Sequence, residues 1–223
     1  MENYIFIGMP VLGNPWLSAI NSLHTQVHGC GMKCQMYFME QESLISRARN
    51  NIVHAFMANE KCTHLLFWDA DIECVGTIHG ENGIRKLVEN GKDITGGLYA
   101  LKAGVDGKLA SQPLKHPVVL DGGLIQMRWL STGMMMIARH VVEKMMAQYP
   151  ELIYDGDSNM AGKKVFGMFN TYIHVLENGV HKYLSEDWAA CARWTDMGGE
   201  IWADTSIVLN HWGVRPHKLW IAK

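Results

Sequence analysis

A short, unbroken apolar run, His64-Leu65-Leu66-Phe67-Trp68, stops at two carboxylates, Asp69 and Asp71. Nothing else in the chain restricts the fold as much. Five residues make a strand rather than a helix, and a strand with no polar alternation must be covered on both faces. The neighbouring segments supply the cover. Tyr4–Val11 is another apolar run, closed by Gly13, Asn14 and Pro15. Pro15 to about His28 predicts a helix, with proline in the first turn where its missing N–H does no harm. Lys33–Met39 follows as a strand. Ser43 to about Glu60 is a helix, because Leu44, Ile45, Ala48, Ile52, Ala55 and Phe56 form one stripe. Gly80 to about Glu89 is a third helix and Asp93–Tyr99 a fourth strand. This alternation predicts an α/β fold: a mostly parallel, Rossmann-like central sheet flanked by helices.

The second half is less regular and predicts a smaller mixed part. Pro117–Leu120, Leu124–Trp129 and Thr132–Ala138 read as strands, the first two joined by Asp121-Gly122-Gly123. His140–Tyr149 reads as a helix. Pro150–Lys164 is polar and reads as a loop, a candidate mobile lid. Val165–Phe169, Thr171–Leu176 and His181–Leu184 are short strands. Ser185 caps a helix that runs to about Met197 and stops at Gly198-Gly199. Glu200–Ala203 and Ile207–His211 are the last strands. With no linker or repeat, residues 1–223 are expected to form one domain, divided at about residue 100.

The formal charge is −2, which offers no basic field for nucleic acid. No apolar run reaches the ~18–20 residues of a membrane span, and Glu2 stands where a signal peptide needs positive charge. The expectation is a soluble cytoplasmic protein (host cytoplasm if viral), a monomer or weak homodimer. Five cysteines without a CxxC pair predict reduced, buried thiols.

Several motifs carry chemistry. Asp69 and Asp71 lie at the carboxyl end of a strand, where open α/β sheets bind ligands. A divalent cation such as Mn²⁺ or Mg²⁺, completed by phosphate oxygens, would justify both carboxylates; the plain alternative is a turn that caps the next segment. A phosphatase with an Asp-x-Asp motif would carry it on its first strand with Thr or Val two positions later, and here that position is Glu73. Ser185-Glu186-Asp187-Trp188 opens a helix; its acids suit the helix dipole, or supply a general base. His211 ends the last strand beside Trp212-Gly213 and can complete a metal site, or be a half-buried histidine with a backbone partner. In Ser46-Arg47-Ala48-Arg49-Asn50, Arg49 lies at the edge of the apolar stripe and Arg47 points away from it. A guanidinium beside a core needs an anionic or planar partner: a base, a diphosphate or an internal carboxylate. His24 and His28 lack the glutamate of HExxH, and Gly8–Gly13 is not GxGxxG.

Taken in order, Ile45–Asn50 (ISRARN), His64–Asp71 (HLLFWDAD), Asp93–Tyr99 (DITGGLY), Ser131–Ile137 (STGMMMI), Ser185–Trp188 (SEDW) and Leu209–Gly213 (LNHWG) resemble a GT-A glycosyltransferase. The likeness spans nearly the whole chain and is greatest to the small, soluble, single-domain enzymes of bacteria, phages and large DNA viruses. It implies a metal-dependent hexosyl transfer from a nucleotide sugar, UDP-linked, to the hydroxyl of a glycan or other acceptor. It implies that Asp69 contacts the donor ribose or the metal, and that Asp71 and His211 ligate the metal. Pro10, Val11, Leu12, Arg47 and Arg49 would line the donor nucleoside pocket, while Tyr99, Thr132 and Gly133 would border the sugar. Asp187 would be the base of an inverting reaction, with Glu186 beside it. Two alternatives belong to other classes. A sugar nucleotidyltransferase needs a basic, glycine-rich triphosphate loop after the first strand, and Gly8–Pro15 has no basic residue. A non-catalytic carbohydrate-binding module would not need Asp69, Asp71, Asp187 and His211 intact.

Overall fold

The computed structural model describes residues 2–102 and 108–213, and the backbone of residues 216–218. In chain order the elements are β1 (Tyr4–Val11), α1 (Leu17–Gly29), β2 (Lys33–Glu40), α2 (Ile45–Ala58), β3 (His64–Trp68), β4 (Ile72–Thr77), α3 (Gly83–Glu89) and β5 (Ile94–Gly97). They continue with β6 (Gln112–Pro113), β7 (Val119–Leu120), β8 (Leu124–Trp129), β9 (Met134–Ala138), α4 (Arg139–Gln148), β10 (Ile153–Asp155) and β11 (Lys164–Phe166). The chain closes with β12 (Tyr172–Val175), β13 (His181–Leu184), α5 (Glu186–Asp196), β14 (Ile201–Asp204), β15 (Ile207–Trp212) and β16 (Pro216–Lys218).

The central sheet has the order β2-β1-β3-β9-β5-β14-β8-β6, with β7 also paired to β8. β1 runs parallel to β2 and β3, and β5 parallel to β14. β9 is inserted between β3 and β5, antiparallel to both. Most strands therefore point the same way, as expected, but β3 and β5 are not neighbours. A strand from the second half of the sequence separates them.

Side-chain alternation explains the continuous apolar runs. Phe6, Leu65, Phe67, Met135 and Ile137 face the core under α2, α4 and α5. Ile5, Ile7, Leu66, Trp68, Met134 and Met136 face a second core that includes Leu23 of α1 and Ile84 and Leu87 of α3. Met134–Met136 are core filler on both faces. α2 approaches β1 at Gly8, where an added Cβ would lie 2.1 Å from Ile52 Cγ2.

Three expectations are corrected. Ile72–Thr77, not foreseen as a strand, is β4; it pairs with β15, and β15 pairs with β16, in a small separate sheet. Pro150–Lys164 is not a bare loop: it holds β10, which pairs antiparallel with β11. Pro117–Leu120 is a strand only over Val119–Leu120. The five cysteines are free thiols, four of them buried. No helix among the described residues is long and apolar enough to cross a membrane.

Arg139 fixes the end of α2 beneath the sheet. Its Nη2 donates to the carbonyls of Phe56 (3.0 Å) and Asn59 (2.6 Å), its Nε donates to Cys62 O (2.6 Å), and its guanidinium covers the Phe56 ring at 4.4 Å. Arg139→Met should remove all three bonds, leave the Cys62 carbonyl without its donor and cost about 2 kcal/mol, read as a Tm lower by about 4–8 °C. Arg139→Lys should recover little, because one ammonium cannot reproduce the fork.

Candidate functional site

The site forms where β3 leaves the sheet. Asp69 N donates to Gly133 O at 3.0 Å and Ile72 N donates to Asp69 O at 3.0 Å, so the chain turns sharply and both aspartates project beyond the strand. Trp212 N donates to Asp71 O at 2.8 Å, which ties this turn to the end of β15. His211 Nε2 consequently lies 3.7 Å from Asp71 Oδ2. Its Nδ1 contacts Ala100 O at 2.8 Å. A carbonyl only accepts, so Nδ1 carries a hydrogen, and Nε2 is the ring nitrogen turned to Asp71. Lys102 Nζ also pairs with Asp71. Burial alone would raise the Asp71 carboxyl, but His211 and Lys102 outweigh it and hold the group below the usual range.

Arg49 lies below the turn and is 3% exposed. Its Nη1 and Nη2 donate to Asp69 Oδ1 (2.9 Å) and Oδ2 (3.1 Å), and its Nε donates to Glu186 Oε1 (3.2 Å). The guanidinium carbon sits 5.4 Å from the Phe67 ring centre. Burial works against the charge, but Asp69 and Glu186 more than compensate, so Arg49 stays firmly protonated. Of the three partners open to this arginine, the internal carboxylate is the one the fold uses.

α5 brings the second acidic pair. Ser185 precedes the helix, but its hydroxyl does not accept a backbone N–H as a cap does. It donates to Asp187 Oδ1 at 2.5 Å, and Trp188 N donates to the same oxygen at 2.8 Å. Asp187 Oδ2 accepts no hydrogen bond among the described residues. Burial, then the charge of Glu186, push the Asp187 carboxyl up; Ser185, Arg49 and the Trp188 amide offset only part of this. The two acids of one turn thus differ: Glu186 is neutralised by Arg49, and Asp187 keeps one oxygen and an elevated proton affinity.

A cavity of about 660 Å³ collects these groups. Asp69, Asp71, Tyr99, Glu186, Asp187 and His211 line it. Tyr99 meets His211 edge-on, with ring centres 5.0 Å apart, and its oxygen accepts from Gly133 N at 3.1 Å. A Cβ on Gly133 would lie 2.6 Å from the Tyr99 ring, so only glycine permits this approach. Burial, with Asp69 and Asp187 nearby, keeps the Tyr99 phenol well above its ordinary value.

Other expected residues lie elsewhere. Thr132 is buried and is replaced at the cavity wall by Ser131. Arg47 is held by Glu42 (2.6 and 3.0 Å) and Asp157 (3.4 Å) and does not reach the cavity. Pro10, Val11 and Leu12 end β1 outside this lining; Val11 is buried and Leu12 is 69% exposed. Of the three expected metal ligands, Asp71 and His211 come together, whereas Asp69 is turned to Arg49. Among the described residues no group of three or more His, Cys, Asp or Glu side chains is arranged to hold a metal. Lys108, Ser111, Gln112 and Trp188 also line the cavity, and Lys102 joins the site through its pairing with Asp71; none of these was foreseen as a site residue. Their one signal is the pair of lysines following the DITGGLYA stretch.

No known protein family matches the sequence, and no curated protein matches it. Among solved structures, A197 from STIV superposes with a TM-score of 0.57 at 13% identity, over 98% of this chain and 95% of its own. UDP-glucose pyrophosphorylase complexed with UDP-glucose gives 0.51 at 8% identity, over 91% and 90%. A glycosyltransferase involved in glycosylation of the major capsid of PBCV-1 gives 0.37 at 13% identity, over 66% and 67%, an overlap too slight to bear on the fold. The first two show a common fold, and with the strand order above they establish the α/β class of the GT-A type.

The raised Asp187 carboxyl has a consequence for stability. A carboxyl whose folded pKa exceeds its unfolded one opposes folding above the folded value, and the penalty vanishes below the unfolded value, about 3.9. Asp187→Asn keeps the hydrogen bonds to Oδ1 and removes this penalty. It should raise Tm at pH 7.5, and the gain should disappear as the pH falls to about 3.5, as followed by differential scanning fluorimetry.

Proposed function

We propose that the chain transfers a hexosyl group from a nucleoside-diphosphate sugar, UDP-linked, to an acceptor hydroxyl with inversion at C1. One observation carries the reading: a single strand-end cavity joins the Asp71–His211 pair to Asp187, a carboxylate with raised proton affinity and a free oxygen. The pair suits Mn²⁺ or Mg²⁺. It offers one carboxylate and one imidazole whose other nitrogen is anchored on a carbonyl, and leaves the remaining positions for diphosphate oxygens and water. When bound there, the cation would neutralise charge on the departing diphosphate.

The residues of the chain divide the remaining work. Lys102 and Lys108 add positive charge beside the diphosphate position. Tyr99 and Ser131 form the wall against the sugar. Asp187 Oδ2 accepts the hydrogen bond of the acceptor hydroxyl. As the acceptor hydroxyl oxygen forms its bond to C1, the C1–O bond to the diphosphate breaks through an oxocarbenium-like state, and the hydroxyl proton passes to Asp187. Glu186 is engaged by Arg49 through Oε1 and holds the start of α5 against the turn after β3.

Two measurements test the reading. Asp187→Asn should keep the donor Kd within a few fold and lower kcat by roughly 10²–10⁴, and NMR of the product should show the anomeric configuration opposite to the donor's. Retention, or full turnover in Asp187→Asn, would overturn the base assignment. Separately, UDP with Mn²⁺ should raise Tm, and EDTA or Asp71→Asn should abolish the rise; a rise that survives both would remove the metal. Formation of a nucleotide sugar from a nucleoside triphosphate and a sugar phosphate would assign nucleotidyl transfer instead.

A further inference from the structure

A second cavity, about 870 Å³, lies over β8 beside the first. Gln112 lines both. The wall between them is a stack of two indoles, Trp129 and Trp188, with centroids 4.7 Å apart and planes inclined by 25°. Trp129 borders the larger cavity and Trp188 the smaller. Lys182 Nζ sits 4.6 Å from each ring centre and closes the stack from outside. Trp188 directly follows Asp187, so a ligand that extends from the base across this wall enters the second cavity past Gln112.

We propose that the second cavity binds the acceptor, and that the acceptor is an uncharged oligosaccharide longer than one sugar ring. This rests on the glycosyl-transfer reading and names its acceptor class. The lining mixes an amide (Gln126), a guanidinium (Arg128), an imidazole (His174), a hydroxyl (Thr195) and carboxylates (Glu177, Asp196). A sugar hydroxyl both donates and accepts, and needs such alternating partners. Neither sign of charge prevails, which argues for a neutral ligand. An acyl chain would require an apolar channel, and polar side chains dominate here. A peptide added as a strand would require a free sheet edge. The floor strand β8 is paired on both sides, to β14 and to β6 and β7, so the edges at this cavity are only the two residues of β6 and the four of β12.

The test is saturation-transfer NMR and titration of the intact protein with malto-, chito-, laminari- and galacto-oligosaccharides of increasing length. Affinity in at least one series should rise with length. It should fall about tenfold in the double variant Gln126→Ala/Asp196→Ala, the loss expected from one or two hydrogen bonds. Neither side chain makes a hydrogen bond among the described residues, so Tm should stay at the wild-type value; Arg128→Gln is an independent second variant. Binding of UDP with Mn²⁺ should not change in either. Length-independent binding, no binding in any series, an unaltered affinity in both variants, or preferential binding of peptides would overturn the proposal. Oligosaccharide binding without any nucleotide-sugar binding would overturn the transferase reading and keep this site. Sugar transfer to acceptors regardless of their length would do the reverse.

Discussion

The buried guanidinium of Arg49 is the interaction on which the site depends. A charge this far from water is tolerated only with full pairing, and three N–H groups of Arg49 find carboxylate oxygens of Asp69 and Glu186. These acids come from distant parts of the chain, one after β3 and one at the start of α5. Burying such an arrangement contributes little net stability, whereas removing one member strands a charge and typically costs ~3–5 kcal/mol. The arrangement therefore fixes geometry more than it stabilises the fold. It also engages two of the four acids that line the cavity, Asp69 and Glu186.

The sheet places Arg49 correctly. The missing side chain at Gly8 lets Ile52 settle on β1, and one turn earlier along α2 that close contact points Arg49 at the end of β3. Phe67 then lies under the guanidinium and Trp68 is buried on the opposite face. The small sheet of β4, β15 and β16 does the corresponding work for His211. Its pairing with the segment after Asp71 is what brings an imidazole from the far end of the sequence to the turn.

Much of this was legible in the sequence, because local pattern and burial are linked by simple periodicity. The stripe of α2, the unbroken strand β3 and the acidic turn after it are each consequences of neighbouring residues. β4 escaped detection because Glu73 and Gly76 interrupt its apolar pattern and its partner, β15, is more than 130 residues away. Arg47 and Arg49 differ by two helical steps, about 200°, and the sequence placed Arg49 at the edge of the stripe. It could not tell that Asp69 and Glu186, not a nucleotide, would meet that arginine. Ser185 looked like a cap; whether its hydroxyl gives a proton to Asp187 or takes one from the backbone depends on rotamers set by packing.

By itself the sequence determined the α/β order of elements, which runs would be buried on both faces, and which chemistry-bearing side chains would stand at strand and helix ends. These follow from spacing along the chain. Only the tertiary structure decided that β9 separates β3 from β5, that Asp71 rather than Asp69 is paired with His211, and that Glu186 is neutralised while Asp187 is not. Each of those outcomes is a contact between residues far apart in sequence. Burial decides it by selecting which charges must be paired, and no local pattern encodes that choice.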